Sequence, residues 1–235
     1  MNRRPKIGSG EISYSLRRHY VDEFHFKHVS KLEARSLVLD LGGNRIGKRG
    51  LFDIESFELD VVYANLSVAK RPHVKAMAEH VPFKEATFDV VVCSELLEHV
   101  LDPIQVLVEI FRVLRKDGLV LICVPFMTRI HGDPTDFGRY TDYYWSQILG
   151  GVGFKNVIIE SQGGFWSVLA EMIRCFVYAK TASWDSRMAF WLGVLERIVY
   201  ECKHKALELD ISNMQGQISQ PTGFTTGFGI IGVKP

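Results

Sequence analysis

The stretch VLDLGGNRIG (residues 38–47) decides how the rest of the chain is read. It opens as a strand with apolar residues on both faces and runs straight into two adjacent glycines. In open α/β sheets, ligands lie beyond the C-terminal strand ends, where glycines let the backbone come close and a helix N-terminus follows. Asp40, Gly42 and Gly43 are placed for that role, and Asn44 stands where such a turn usually has its second glycine. The full GxGxxG dinucleotide fingerprint is absent, which disfavours an NAD-linked or flavin enzyme. Taken alone, the stretch reads equally as a plain strand-to-helix turn.

The sequence on either side repeats the theme. Strand-like runs rich in β-branched residues at 36–41, 59–66, 87–95 and 118–126 alternate with helix-like segments. That is the rhythm of parallel strands joined by crossover helices. The best-marked helix starts at Pro103 with Asp102 as its N-cap and continues to Lys116, leaving Arg112, Arg115 and Lys116 at the negative end of its dipole. A second, at 143–149, is expected to stop at the Gly150-Gly151 pair, before a strand at 153–160. Ile12, Leu16, Tyr20 and Phe24 recur at steps of four, so residues 11–32 read as an amphipathic N-terminal helix, a lid or flank. Two apolar helical stretches, 165–180 and 188–209, precede a last strand at 224–234. The chain is read as one α/β domain over residues 1–235, with its core at 36–160 and a helical insertion at 163–209.

Composition narrows the function classes. Apolar residues make up 47% of the 235 and charged residues 23%, the balance of a soluble globular chain. A net charge of +1 gives no broad footprint for nucleic acid. Cys93, Cys123, Cys175 and Cys202 are widely spaced, which points to neither a zinc site nor a disulfide framework. No run is long and apolar enough for a signal peptide or a membrane span, so a cytoplasmic protein is expected.

In order and spacing, VLDLGG (38–43), VVYANLS (61–67), AEHVPF (78–83), FDVVVCSELLEHVLDP (88–103), EIFRVLRKDG (109–118) and VLICVPF (120–126) together resemble the class I S-adenosylmethionine-dependent methyltransferases. The resemblance is to the methyltransferase type 11-like branch that acts on glycans and small molecules, and the FDVVVCSELLEHVLDP block is its most specific part. It implies a Rossmann-like, doubly wound, seven-stranded sheet whose last strand is antiparallel, and S-adenosyl-L-methionine as cofactor. It puts Asp40, Gly42, Gly43 and Asn44 beneath the methionine portion, and Asn65 and Leu66 at the ribose. Met77, Ala78 and Glu79 fall beside the adenine, and Cys93, Ser94 and Glu95 along the amino-acid end. Family members usually carry an acid where Asn65 stands and an aspartate where Met77 stands. An amide can both accept and donate there, whereas methionine can pack against the base but cannot accept a hydrogen bond. The resemblance gives His99 a packing role behind the site.

A second motif, PFMTRIHGDPTDFGRYT (125–141), resembles the PF…HxxPxDxxRYT segment of methyltransferases from polysaccharide and glycoconjugate gene clusters. It leaves a strand's C-terminal end on the side where an acceptor must meet the methyl group. A neutral imidazole suits the removal of a hydroxyl proton, which makes His131 the candidate general base, with Asp136 orienting it or binding the acceptor. Arg139 is expected to hold an anionic group or, more simply, to anchor the loop by an ion pair. The alternative is a rigid turn in which Asp136 caps a helix. No metal is expected, because no His/carboxylate cluster with ligand spacing is evident.

The insertion's apolar stripes, with Phe165, Trp166, Leu169, Ile173, Phe176 and Val177 on one helix and Phe190, Trp191, Val194, Leu195, Ile198 and Val199 on the next, leave two readings open. They are core or homodimer contacts, or an apolar platform for a lipid-linked acceptor or a peripheral membrane contact, with Arg174, Lys180, Arg187, Lys203 and Lys205 nearby. The expected activity is methyl transfer to a hydroxyl of a sugar, glycolipid or related small molecule. The rival is a non-catalytic relative that keeps the fold and binds or regulates, motivated by Asn65 and Met77.

Overall fold

The computed structural model describes residues 14–132, 135–181, 189–217 and 221–235. Expectations resting on Ile12, Arg187 and the start of the helix at residue 188, and on the side chains of Lys180 and Phe190, lie outside the described residues.

The strands are β1 (Leu37–Leu41), β2 (Asp60–Asn65), β3 (Val74–Lys75), β4 (Phe88–Ser94), β5 (Leu114–Pro125), β6 (Lys155–Gln162) and β7 (Gly227–Val233). They form one sheet in the order β3-β2-β1-β4-β5-β7-β6. Strands β1 to β5 pair in parallel, and β7 runs antiparallel to both β5 and β6. Alternation of side chains along each strand makes two cores. Leu39, Leu41, Val91, Val120 and Ile122 face Val106, Leu107 and Ile110 of α2 (Pro103–Val113) and Trp145 and Leu149 of α3 (Asp142–Val152). Val38, Val90, Val92, Leu121 and Cys123 face Val21, Phe24 and Val29 of α1 (Leu16–Val29). Each such large side chain contributes roughly 1.5–3 kcal/mol by leaving water.

The expected crossover helices are missing on the α1 side. Between β1 and β2, and between β2 and β4, the chain makes only single 3₁₀ turns, at Ile54–Ser56 and Val68–Lys70. Gly42, Gly47 and Gly50 hold φ of +83°, +65° and +86°, which breaks any helix after β1, and α1 covers the face left open. The loop is pinned to α1 through Asp22, whose Oδ2 accepts the Leu51 N–H and the Tyr14 hydroxyl, both at 2.7 Å. A Cβ on Gly50 would stand 2.5 Å from that carboxylate.

Two helix ends also differ. Asp102 caps α2 as expected, its Oδ1 accepting the Gln105 N–H at 3.1 Å, but the helix ends at Val113 because Leu114 already pairs with Phe88. Its last carbonyls are satisfied by Lys234, whose Nζ donates to Phe111 and Leu114 oxygens at 2.7 Å. Arg112 and Arg115 instead pair with Glu109 and Asp89. Helix α3 passes through Gly150-Gly151 and stops at Gly153, φ +119°.

Helices α4 (Phe165–Thr181) and α5 (Ala189–Met214) form the insertion and pack on α1, where Leu16, Ala170 and Ala206 share a buried cluster. Buried Asp210 of α5 caps α4 by accepting the N–H groups of Gly164, Trp166 and Ser167. Glu171 accepts the Leu16 N–H at 3.0 Å. No helix among the described residues is long and apolar enough to cross a membrane.

Candidate functional site

A cavity of about 720 Å³ opens beyond the C-terminal ends of β1, β2 and β4, at the point where the strand order reverses. Every residue expected to hold the cofactor lines it except Cys93. Cys93 belongs instead to the core on the α2 side, fully buried, and burial raises its thiol well above the ordinary range. Among the described residues, none of the insertion lines the cavity.

The floor of the cavity is the glycine turn. A Cβ on Gly43 would fall 2.1 Å from Asp40 Oδ2, so only glycine lets the backbone lie on that carboxylate. Asn65, at the end of β2, holds the turn from the side: its Nδ2 donates to the carbonyls of Gly42 (2.7 Å) and Gly43 (3.0 Å), while its oxygen accepts the Ser67 N–H (2.8 Å). A carboxylate could make only the last of these contacts, which gives the amide a reason to stand there. Burial pushes Asp40 up to about 7 against the pull of Lys48, whose own ammonium is engaged by Asp53 and Glu55.

One wall was missed in the sequence. Arg18, Asp22 and His25 of α1 line the cavity, at spacings of four and three that put them on one helical face. That polar stripe was the available signal. His25 Nε2 lies 2.7 Å from Ser94 Oγ, and burial lowers its pKa to about 3, so the ring is neutral. Glu95, φ +52°, is buried against Arg17 at 2.6 Å and is held below the usual carboxylate range by that guanidinium, which outweighs burial.

The opposite end is built by the loop after β5 and the 3₁₀ turn Leu97–His99. His131, Asp136 and Arg139 do not line the cavity, whereas His99, Thr135 and Phe137 do. Asp136 forms a two-pronged ion pair with Arg139, one arm at 2.7 Å, and accepts the His131 backbone N–H at 2.8 Å. That pairing holds its carboxyl down at about 2. The anchoring role expected of Arg139 is therefore what the geometry provides, and Asp136 shares it. His99, expected to pack behind the site, stands in the wall, with the His131 ring edge-on behind it at 5.3 Å. Beside them Glu98 is fully buried with neither carboxylate oxygen hydrogen-bonded. Burial and the Glu95 carboxylate push it up to about 8. One donor atom from each of Glu98, His99 and His131 lies within 4.8 Å of the others, a cluster that the sequence reading did not find.

Residues 44–122 match the family model described as "Methyltransferase domain". The chain is 34% identical over 154 residues to the ubiquinone/menaquinone biosynthesis C-methyltransferase UbiE of Haemophilus ducreyi, covering 58% of this chain and 57% of that one. It is 32% identical over 136 residues to a ubiquinone biosynthesis O-methyltransferase of Pseudomonas fluorescens, covering 56% and 52%. The chain thus spans about half the length of the curated relatives it matches. Among solved structures, a SAM-dependent methyltransferase from Archaeoglobus fulgidus superposes with a TM-score of 0.55 at 17% identity, over 92% of this chain and 94% of that one. At that identity the likeness speaks for the fold.

Proposed function

We propose, from the premise that this chain carries a class I S-adenosylmethionine-dependent methyltransferase domain, that it moves a methyl group from S-adenosylmethionine to a hydroxyl of a sugar, glycolipid or related small molecule. The observation that supports this best is the glycine turn laid on the Asp40 carboxyl at the floor of the cavity, a cradle that a single Cβ would fill. The residues that would hold the donor are Asp40, Gly42, Gly43 and Asn44 at its methionine portion, Asn65 and Leu66 at the ribose, Met77, Ala78 and Glu79 at the base, and Ser94 and Glu95 at the amino-acid end. Bound there, S-adenosylmethionine supplies an electrophilic methyl group on a sulfonium that leaves as a neutral thioether.

What the chain itself does is orient and take a proton. The Asp40 carboxyl offers negative charge to a cationic ligand, because Lys48 is already engaged by two acids. Asn65 keeps the turn in one conformation, so little ordering remains when a ligand arrives. A hydroxyl must lose its proton as it attacks, and the nearby imidazoles are His99 in the cavity wall and His131 behind it. His131 is the proposed base, with Asp136 and Arg139 fixing its loop.

Calorimetry with S-adenosylmethionine, followed by transfer of a labelled methyl group to sugar and glycolipid acceptors, tests the reading. Saturable donor binding and a methyl ether product are expected. Absence of binding at millimolar donor would favour the non-catalytic relative instead.

A further inference from the structure

We infer that Glu98, His99 and His131 form a binding site for one divalent transition-metal ion at the acceptor end of the cavity; its use in catalysis rests on the methyl-transfer reading, its existence does not.

The argument begins with Glu98. It is 1% exposed, and neither of its oxygens has a hydrogen-bond partner among the described residues. Nearby, Glu95 is paired with Arg17 and Asp136 with Arg139, whereas Glu98 has no cation within hydrogen-bond reach among the described residues. Leaving such a group bare is costly, and native structures answer it with a partner or an ion. Protonation alone does not resolve the arrangement. The acid O–H would face His99 Nε2 at 3.6 Å, beyond hydrogen-bond reach.

The two imidazoles are arranged as ligands rather than as free rings. His99 Nδ1 lies against the Thr135 carbonyl, and because that oxygen can only accept, the proton is on Nδ1. The lone pair is therefore on Nε2, the nitrogen nearest Glu98. Orientation of a ligating histidine through its other nitrogen is the usual outer-shell device at metal sites. His131 is part-exposed on the loop after β5, and its ring stands edge-on to His99. The three donors lie within 4.8 Å of one another, while a shell with bonds of about 2.1 Å spaces its donors roughly 3 Å apart. Small side-chain rotations close that gap.

Two imidazoles and one carboxylate suit manganese, iron, cobalt or zinc better than calcium or magnesium, which prefer oxygen. Three protein ligands leave positions open, and His99 lines the cavity, so the open side meets the acceptor. A cation there would take an oxygen of the acceptor as ligand and make its hydroxyl more acidic, the proton passing to solvent; it would relieve His131 of the role of base. The favoured acceptor is then one with a second oxygen beside the reacting hydroxyl.

The test is a titration of the metal-stripped full chain with cobalt(II) and manganese(II), without donor, followed by calorimetry and by the visible absorption of cobalt. One saturating ion per chain is expected, with affinity falling about tenfold or more in Glu98→Gln and in His131→Ala. His131 is part-exposed, so its variant keeps a folded readout if Glu98→Gln does not. No saturable binding at millimolar metal, or binding unchanged in both variants, overturns the inference. Donor binding by the metal-free protein is measured separately: its presence with no cation binding overturns this inference alone, and its absence with cation binding intact overturns the methyl-transfer reading alone.

Discussion

Asn65 lines one part of the cavity, and Glu98 lies buried beside His99, which lines another. At the donor end, Asn65 spends both amide hydrogens on the carbonyls of Gly42 and Gly43 and its oxygen on the Ser67 N–H. Beside His99, Glu98 offers two buried oxygens without a hydrogen-bond partner among the described residues. The first half is completed by folding, the second by whatever binds. A site arranged this way recognises a constant ligand with rigid backbone and keeps its unsatisfied polar groups for the step that differs between substrates.

The most severe way to break the contrast is Gly43→Ala, which drives a methyl group into the Asp40 carboxyl. It should cost on the order of 3 kcal/mol of stability and abolish donor binding, read by thermal melts and calorimetry. Normal donor affinity in the variant would mean that the turn is not the cradle. Next, His131→Ala should lower turnover by roughly 100-fold while leaving donor affinity nearly intact, because its ring belongs to the other end. Equal losses in both would show that the two halves are not separable. Asn65→Asp sharpens the comparison. It restores the acid usual in the family but takes two donors from the glycine carbonyls, so it should cost about 1–3 kcal/mol and weaken the donor, against a naive expectation of tighter binding. Stronger donor binding would refute the clamp.

The smallest effect is a pH dependence. Burial pushes Asp40 up to about 7, and a positively charged donor favours its ionised form. Affinity should be level above that pH and fall below it, by at most about tenfold per unit. Asp40→Asn should flatten the profile. Calorimetry between pH 6 and 8 reads both, and a wild-type profile already flat would remove Asp40 from donor recognition.

How far these features could be read in advance follows from how local they are. The glycine turn was legible because a strand running into adjacent glycines announces it within a short stretch of chain, whereas the clamp by Asn65, 22 residues on, was not. Asp102 and Pro103 at the start of α2 were legible in the same way as the turn. The acceptor end was not, because Glu98 and His99 meet His131 only after β5 has crossed the sheet, and spacing along the chain carries no trace of that. The polar face of α1 goes unread for a related reason: Arg18, Asp22 and His25 meet the cavity only once the helix is laid on the sheet. The helix expected after β1 fails because left-handed glycines and a loop contact to Asp22 outweigh a general α/β rhythm, and after β2 a single 3₁₀ turn ends at Arg71, φ +49°. The capping of α2 by Lys234 depends on a residue beyond β7, which no local pattern can supply.

Arg17 reaches from α1 to Glu95 and to the side chain of Gln162 on β6; Arg17 and Gln162 are buried and Glu95 is largely covered. A hinged opening of α1 would strip a guanidinium and a carboxylate of each other in a dry setting, a loss of several kcal/mol. The N-terminal helix is therefore a fixed wall of the chamber, which Arg18, Asp22 and His25 line from that side.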